Sequence, residues 1–161
     1  MKRFALIVFL VVLLAVGLFA GDHDGWGIGT AFYGGYGYGP GLLLKTPVLP
    51  LYWGINVSVN GIDNEQYFAV TLSGDYHILD KTFPKTDKFG WFLGGGLIFS
   101  HSHFDGKSAF AGRIPIGVYF APVKHFDFVL ELAPAAGFYA WESSIEPDYG
   151  MSGSLGVRYW F

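Results

Sequence analysis

The chain has no cysteine among its 161 residues, which excludes a disulfide scaffold and any thiol chemistry. Charge is scarce: Asp, Glu, Lys and Arg make up 14% of the chain, against about 25% in an ordinary soluble domain. Only 10 Lys and Arg face 13 Asp and Glu, with no basic block, so no nucleic-acid partner is expected. Long apolar runs are also lacking. One stretch, residues 4–20, is apolar for long enough to span a bilayer, and a polytopic helical membrane protein is thereby excluded. What the chain does have is apolar and aromatic. It is 52% hydrophobic and 19% aromatic, with 24 glycines, and such a composition does not stay disordered.

The first segment reads as an address. Lys2 and Arg3 form a positive n-region, residues 4–19 an apolar h-region, and the small Ala20 and Gly21 precede the polar Asp22, His23 and Asp24. This is the pattern of a secretory signal peptide cut near Ala20, with an uncleaved anchor helix as the alternative. The expected division is a signal peptide over 1–20 and one domain over 21–161. Loss of Lys2 and Arg3 leaves 8 basic residues against 13 acidic, a net charge of −5.

From Trp26 onward the sequence alternates with period two. Trp26, Ile28, Thr30 and Phe32 alternate with Gly27, Gly29, Ala31 and Tyr33, and Leu155, Val157, Tyr159 and Phe161 alternate with Ser154, Gly156, Arg158 and Trp160. Successive strand side chains point to opposite faces, so each such segment has one large apolar face and one small or polar face. A water-facing strand carries many Lys and Glu, and these carry almost none. The economical reading is inverted, with large residues toward lipid and small or polar ones filling a narrow lumen, the pattern of a transmembrane β-barrel. Trp26, Tyr52, Trp53, Phe89, Trp91, Tyr139, Trp141, Tyr159 and Trp160 are expected in the interfacial girdles. A soluble lipocalin-like barrel is the alternative, because a tapered barrel interior can also be apolar.

Strands are expected near 26–36, 41–47, 51–60, 66–77, 89–100, 109–121, 125–141 and 151–161. The fold class is therefore all-β: an eight-stranded antiparallel transmembrane barrel behind a cleavable signal peptide, the even count that bacterial outer-membrane barrels have. This parse makes Pro47 to Pro50 and Pro122 to Lys124 tight turns on one side. A rival parse leaves 41–50 as loop and splits 125–141 at Pro134, which exchanges the loops that face outside. Pro115 and Pro134 lie inside expected strands, where a missing donor needs an edge, a bulge or a break.

The final segment, Arg158-Tyr159-Trp160-Phe161, resembles the terminal strand of bacterial outer-membrane proteins. Together with Gly112-Arg113-Ile114-Pro115-Ile116-Gly117 and Leu130-Glu131-Leu132-Ala133-Pro134, it resembles the small spirochaete-type outer-membrane β-barrel family, a domain of unknown function, and is similar in plan to the OmpX and OmpA barrels. The resemblance covers residues 109–161 and is only general before them. It implies the outer membrane of a diderm bacterium, Sec export, outer-membrane lipids as surroundings, and an assembly signal in Tyr159, Trp160 and Phe161 that the barrel assembly machinery reads.

Chemistry is sparser. Arg113, Glu131 and Arg158 fall on the small faces, which point inward. There two guanidinium groups are expected to share one carboxylate, with Asp75, Asp127 and His77 nearby, as a structural polar network. His101, His103 and Asp105 share one face of an extended chain and have the chemistry of divalent metal ligands. Spaced histidines are common in solvated loops, however, and no metal or other cofactor is expected. Ser100 and Ser102 adjoin these histidines, but sequence neighbours in a strand point apart, so no nucleophile–base pair is expected. The glycine runs at 34–39 and 94–96 lack the following helix and the Lys of a phosphate loop. The expectation is a monomeric, non-enzymatic barrel that works through exposed loops, which meet envelope or host ligands. A small pore or a lipid-modifying barrel enzyme is the runner-up.

Overall fold

The computed structural model describes residues 25–35, 38–47, 51–62, 65–103, 106–142 and 144–161. The expected signal peptide and Asp105 lie outside the described residues. Within them the chain is all-β and antiparallel, with nine strands: β1 (Gly27–Gly34), β2 (Gly39–Lys45), β3 (Leu51–Ile62), β4 (Glu65–Phe83), β5 (Thr86–Ser102), β6 (Ser108–Arg113), β7 (Ile116–Val123), β8 (Phe126–Trp141) and β9 (Ser144–Trp160). Each strand pairs with the next, except that β6 and β7 both lie between β5 and β8. Because β9 pairs back on β1, the sheet rings round on itself.

The count of nine, where eight was expected, arises at Ile114–Pro115. Register runs unbroken across this gap: Arg113 and Ile116 face Gly96 and Leu93 on β5, and Ala135 and Leu132 on β8. Gly94 N–H donates to the Pro115 carbonyl (2.8 Å) and Ile114 N–H to the Pro134 carbonyl (3.0 Å). Neither proline has an N–H to return the bond, so each removes one member of a reciprocal pair and the ladder is interrupted there. β8 itself passes through Pro134 without splitting.

The connections alternate between two ends. Pro84–Lys85, Lys124–His125 and the link from β2 to β3 lie at the end that also holds Trp26 and Phe161. The facing ends of β1 and β2, β3 and β4, β5 and β6, and β8 and β9 lie at the end of Trp141, while Ile114–Pro115 joins β6 to β7 in the middle of the wall. The strands expected to end at 77 and to begin at 89 instead extend toward each other as β4 and β5 around the two-residue turn Pro84–Lys85, with a bulge between His77 and Leu79.

Burial is inverted relative to a water-soluble fold. Ile28, Phe32, Leu42, Ile55, Leu72, Leu97, Phe99, Ile116, Leu130 and Leu155 are all exposed on the outer wall, while Lys45, Asn56, Asp75, His77, Arg113, Asp127 and Arg158 are buried inside the ring. The inside also holds two apolar clusters, Phe92, Tyr119 and Val129 against Leu43, and Ile98 with Ala111 and Ala135.

Glycine placement makes room for the bulky inner groups. Phe92 lies opposite Gly117, Tyr119 opposite Gly90 and Trp160 opposite Gly27, and a Cβ on any of these glycines would strike the facing ring. Tight interior packing tolerates little added volume, so large residues sit across from residues without a side chain.

Two interfacial expectations are corrected. Trp160 is buried, and its indole N–H donates to Asp127 at 3.0 Å. Tyr52 also turns inward, stacked on His77 with ring centroids 3.8 Å apart. Both sit on the inner phase of their strands, and the polar interior offers their N–H and O–H groups the partners that the apolar outer wall lacks.

Candidate functional site: the charged interior and the two rims

The interior holds two ionic centres. In the first, Arg113 Nε lies 2.9 Å from Asp75 Oδ1, its Nη2 contacts Glu131, and its Nη1 donates to Ser152 Oγ at 3.2 Å. Ser152 Oγ in turn lies 3.3 Å from the Ala133 carbonyl. The strand arrangement explains the reach. Gly96 on β5 lies between Asp75 on β4 and Arg113 on β6 and faces both. A Cβ on Gly96 would collide with the Asp75 carboxylate, so the glycine lets the guanidinium cross a whole strand.

In the second centre Arg158 binds Asp127 with two hydrogen bonds of 2.9 Å, from Nε and Nη2. These residues face one another directly across β8 and β9. The fork-to-fork geometry is the strong form of the guanidinium–carboxylate pair. Arg158 also lies over the rings of Tyr52 (5.4 Å) and Trp160 (5.2 Å). Beyond Tyr52 the stack continues through His77 to Phe92, whose ring centroid is 4.1 Å away. His77 Nδ1 approaches Asp80 at 3.6 Å, and the Tyr52 hydroxyl lies 3.5 Å from the same carboxylate.

The expected network of Arg113, Glu131 and Arg158 sharing one carboxylate is therefore divided. Glu131 is held by Arg113 alone of the two arginines, and Arg158 takes Asp127. Asp75 joins the Arg113 centre, and His77 belongs to the aromatic stack. Period-two alternation shows which face a residue occupies, but the pairing of charges depends on register between strands, which it does not show.

Little space remains inside. Two voids of about 20 Å³ and 10 Å³ adjoin Tyr52, Leu43 and Arg158, each of the size of a water molecule or so. The arrangement can hold a closed ring rigid, and these two voids among the described residues are too small for an organic substrate.

At the Trp141 end, β5 and β6 bring His101 and Ser108 into register, with Nδ1 and Oγ 2.9 Å apart. Sequence reasoning missed this pair because it considered only adjacent Ser and His. The signal that finds it is the hairpin itself, which folds residue 108 back beside 101. His101 is exposed, and no carboxylate contacts its ring among the described residues. His103 is exposed and anchored through its backbone N–H to the Phe68 carbonyl at 2.9 Å. Among the described residues no group of three metal-ligating side chains occurs. The β8–β9 hairpin extends this end and carries exposed Ile145 and Tyr149, and the Tyr139 hydroxyl donates to Glu146 at 2.6 Å.

At the other end, Tyr159 and Phe161 face outward with their rings edge to face at 5.0 Å, while Trp160 points in. A cleft of about 510 Å³ opens beside them, lined by Lys88, Lys124, His125 and Asp87 among others.

No family model matches the chain, and no curated protein matches it either.

Proposed function

We propose that the chain is an integral outer-membrane β-barrel protein with a structural and surface-interaction role, neither an enzyme nor an open pore. The single observation that carries this reading is the inverted burial. Charged and polar side chains are sequestered within a closed ring whose outer wall is Ile, Leu, Val and Phe. In water such a wall is an aggregation hazard far beyond the apolar patches that monomeric proteins expose. In hydrocarbon it is the solvated surface, and a closed sheet satisfies every backbone group there.

On this reading β6 and β7 count as one stave, because both lie between β5 and β8 in one register, and the barrel has eight. Eight staves leave an interior just wide enough for side chains, in keeping with the filled lumen. The Phe161 end, where β1 begins and β9 ends, faces the periplasm, and the Trp141 end, from which the β8–β9 hairpin extends, faces outside. Export proceeds through the signal segment of residues 1–20, and the outward-facing Tyr159 and Phe161 serve recognition by the barrel assembly machinery. The folded protein is a monomer among outer-membrane lipids, and its interaction surface is the β8–β9 hairpin with exposed Ile145, Glu146 and Tyr149.

Membrane fractionation with heat-modifiable electrophoresis tests the proposal. The protein is expected in the outer membrane, resistant to carbonate and urea, and to migrate differently when unboiled. Recovery as a soluble periplasmic monomer rejects the reading in favour of a lipocalin-like protein.

A further inference from the structure

The outer wall is not uniform. Across β2, β1, β9 and β8 it carries a groove of about 460 Å³, walled by Phe32, Pro40, Phe128 and Leu155 with Thr30 and Val157 between them. Its origin is a size pattern in register. Thr30 faces Val157 directly, while the flanking outward pairs on the same two strands, Ile28 with Tyr159 and Phe32 with Leu155, are larger.

The groove offers no free hydrogen-bond donor to an occupant. Thr30 Oγ1 already donates to the Gly41 carbonyl at 3.0 Å. The Pro40 carbonyl accepts from Asn56 Nδ2 at 2.9 Å, from the inner side. The backbone of Thr30, Ala31, Gly156 and Val157 lies within the β1–β9 ladder. A peptide docked here would leave its own backbone polar groups unpaired in an apolar setting, at a cost of several kcal/mol each. A hydrocarbon chain loses nothing and gains close contacts over its length.

A second observation lies toward the Phe161 end. From the groove, outward-facing Phe126 and Tyr159, with ring centroids 6.4 Å apart, lead down to Lys124 in the β7–β8 turn and to the cleft it shares with Lys88. Both lysines are exposed and make no ion pair among the described residues, although Asp87 also lines the cleft. Lys124 lies in the turn just before β8 begins at Phe126, and Phe128 is two strand residues further on, about 7 Å at the usual rise of a strand. Cationic groups at one end of an apolar track match a phosphodiester joined to an acyl chain.

We propose that this wall is a binding site for one glycerophospholipid, its phosphate at Lys124 and Lys88 and an acyl chain running past Phe126 and Tyr159 into the Thr30–Val157 groove. The inference rests on the membrane reading given above. It goes further in assigning a preferred lipid position to one side of the ring and to the leaflet at the Phe161 end.

The test uses the full-length exported protein in phosphatidylcholine vesicles doped with phosphatidylglycerol that bears a photoactivatable diazirine in its acyl chain. After irradiation, adducts mapped by mass spectrometry are expected several-fold more often at 28–32 and 155–159 than around Leu72, Leu97 and Phe99 on β4 and β5. Thr30→Trp, which fills the groove, and Lys124→Glu are each expected to reduce those adducts with heat-modifiable migration unchanged, and Leu97→Trp to leave them as they are. If Thr30→Trp does not fold, Val157→Phe serves in its place. Adducts spread evenly over an inserted protein overturn the site while leaving the membrane reading intact. So do protein–protein crosslinks through residue 30, which would mark a second copy as the occupant. Failure to enter vesicles at all overturns both.

Discussion

Asp127 and Arg158 face each other across β8 and β9, joined by two hydrogen bonds of 2.9 Å, with the Asp127 side chain wholly screened from solvent. A third donor, the Trp160 indole, reaches the same carboxylate. Asp127→Ala is thus expected to leave a buried guanidinium without its anion and to cost about 3–5 kcal/mol, the usual penalty for breaking a buried pair from one side. Replacing both partners with apolar residues of similar volume removes the stranded charge and should cost much less. Urea unfolding of the single and double variants in a bilayer or micelle measures the difference. A loss in the double variant equal to the sum of the two single losses would show that the pair is not energetically coupled.

The Arg113 centre behaves differently, because two carboxylates share one cation. Glu131→Gln leaves Asp75 on the guanidinium and keeps a polar group beside it. Its expected cost is about 1–2 kcal/mol, near that of a charge-assisted hydrogen bond. Arg113→Met strands two carboxylates and falls in the larger class of about 3–5 kcal/mol. Sequence reasoning expected the opposite emphasis, with Glu131 as the shared anion between two arginines. The same unfolding measurement decides, and Glu131→Gln more damaging than Arg113→Met would count against the observed pairing.

The glycine between Asp75 and Arg113 supplies a sharper contrast. A Cβ at Gly96 would meet the Asp75 carboxylate, whereas one at the neighbouring Gly95 meets nothing within 4 Å. Gly96→Ala is expected to displace Asp75 and cost about 1–3 kcal/mol, the range for overpacking a filled core. Gly95→Ala should be neutral or slightly stabilising, since it reduces chain entropy without a clash. The two substitutions are chemically identical and adjacent, so stability losses of equal size would reject the steric account.

These two glycines also show what the sequence makes legible. Alternation reveals that Gly95 and Gly96 lie on opposite faces, and the size of the residues on either side reveals which face is inner. In the same way the strands over 51–60, 89–100 and 125–141 are readable, because large apolar and small residues exchange every second position. Residues 78–83 and 86–88 were not readable as strand, because Asp80, Lys81, Asp87 and Lys88 break the apolar alternation although these residues belong to β4 and β5. The break at Pro115 was readable as a disturbance of unknown kind, since its form depends on what Gly94 and Pro134 present across the gap. The charge pairing was out of reach altogether. Only register brings Arg158 opposite Asp127, and only a glycine on an intervening strand lets Arg113 reach Asp75.

The last prediction concerns His101 and Ser108, whose 2.9 Å contact has the form of a base and a nucleophile. Acyl transfer needs more than that contact. It requires a third group to orient the imidazole and donors placed where an oxyanion develops. Among the described residues the His101 ring has no carboxylate partner, and Ser108 is the first residue of β6, paired with His101 on one side and Ala140 on the other. The pair is then a cross-strand hydrogen bond that holds the end of the β5–β6 hairpin together, worth about 0.5–1.5 kcal/mol. Purified protein is accordingly expected to show no ester hydrolysis on acylated lipids above that of Ser108→Ala, and Ser108→Ala to lower stability by no more than that single bond. The filled lumen gives the parallel expectation of no steady single-channel conductance from monodisperse protein, since an ion would have to displace Phe92, Tyr119 or an arginine held by its carboxylate. Reproducible lipid turnover abolished by both His101→Ala and Ser108→Ala would make the pair catalytic and this protein an envelope enzyme instead.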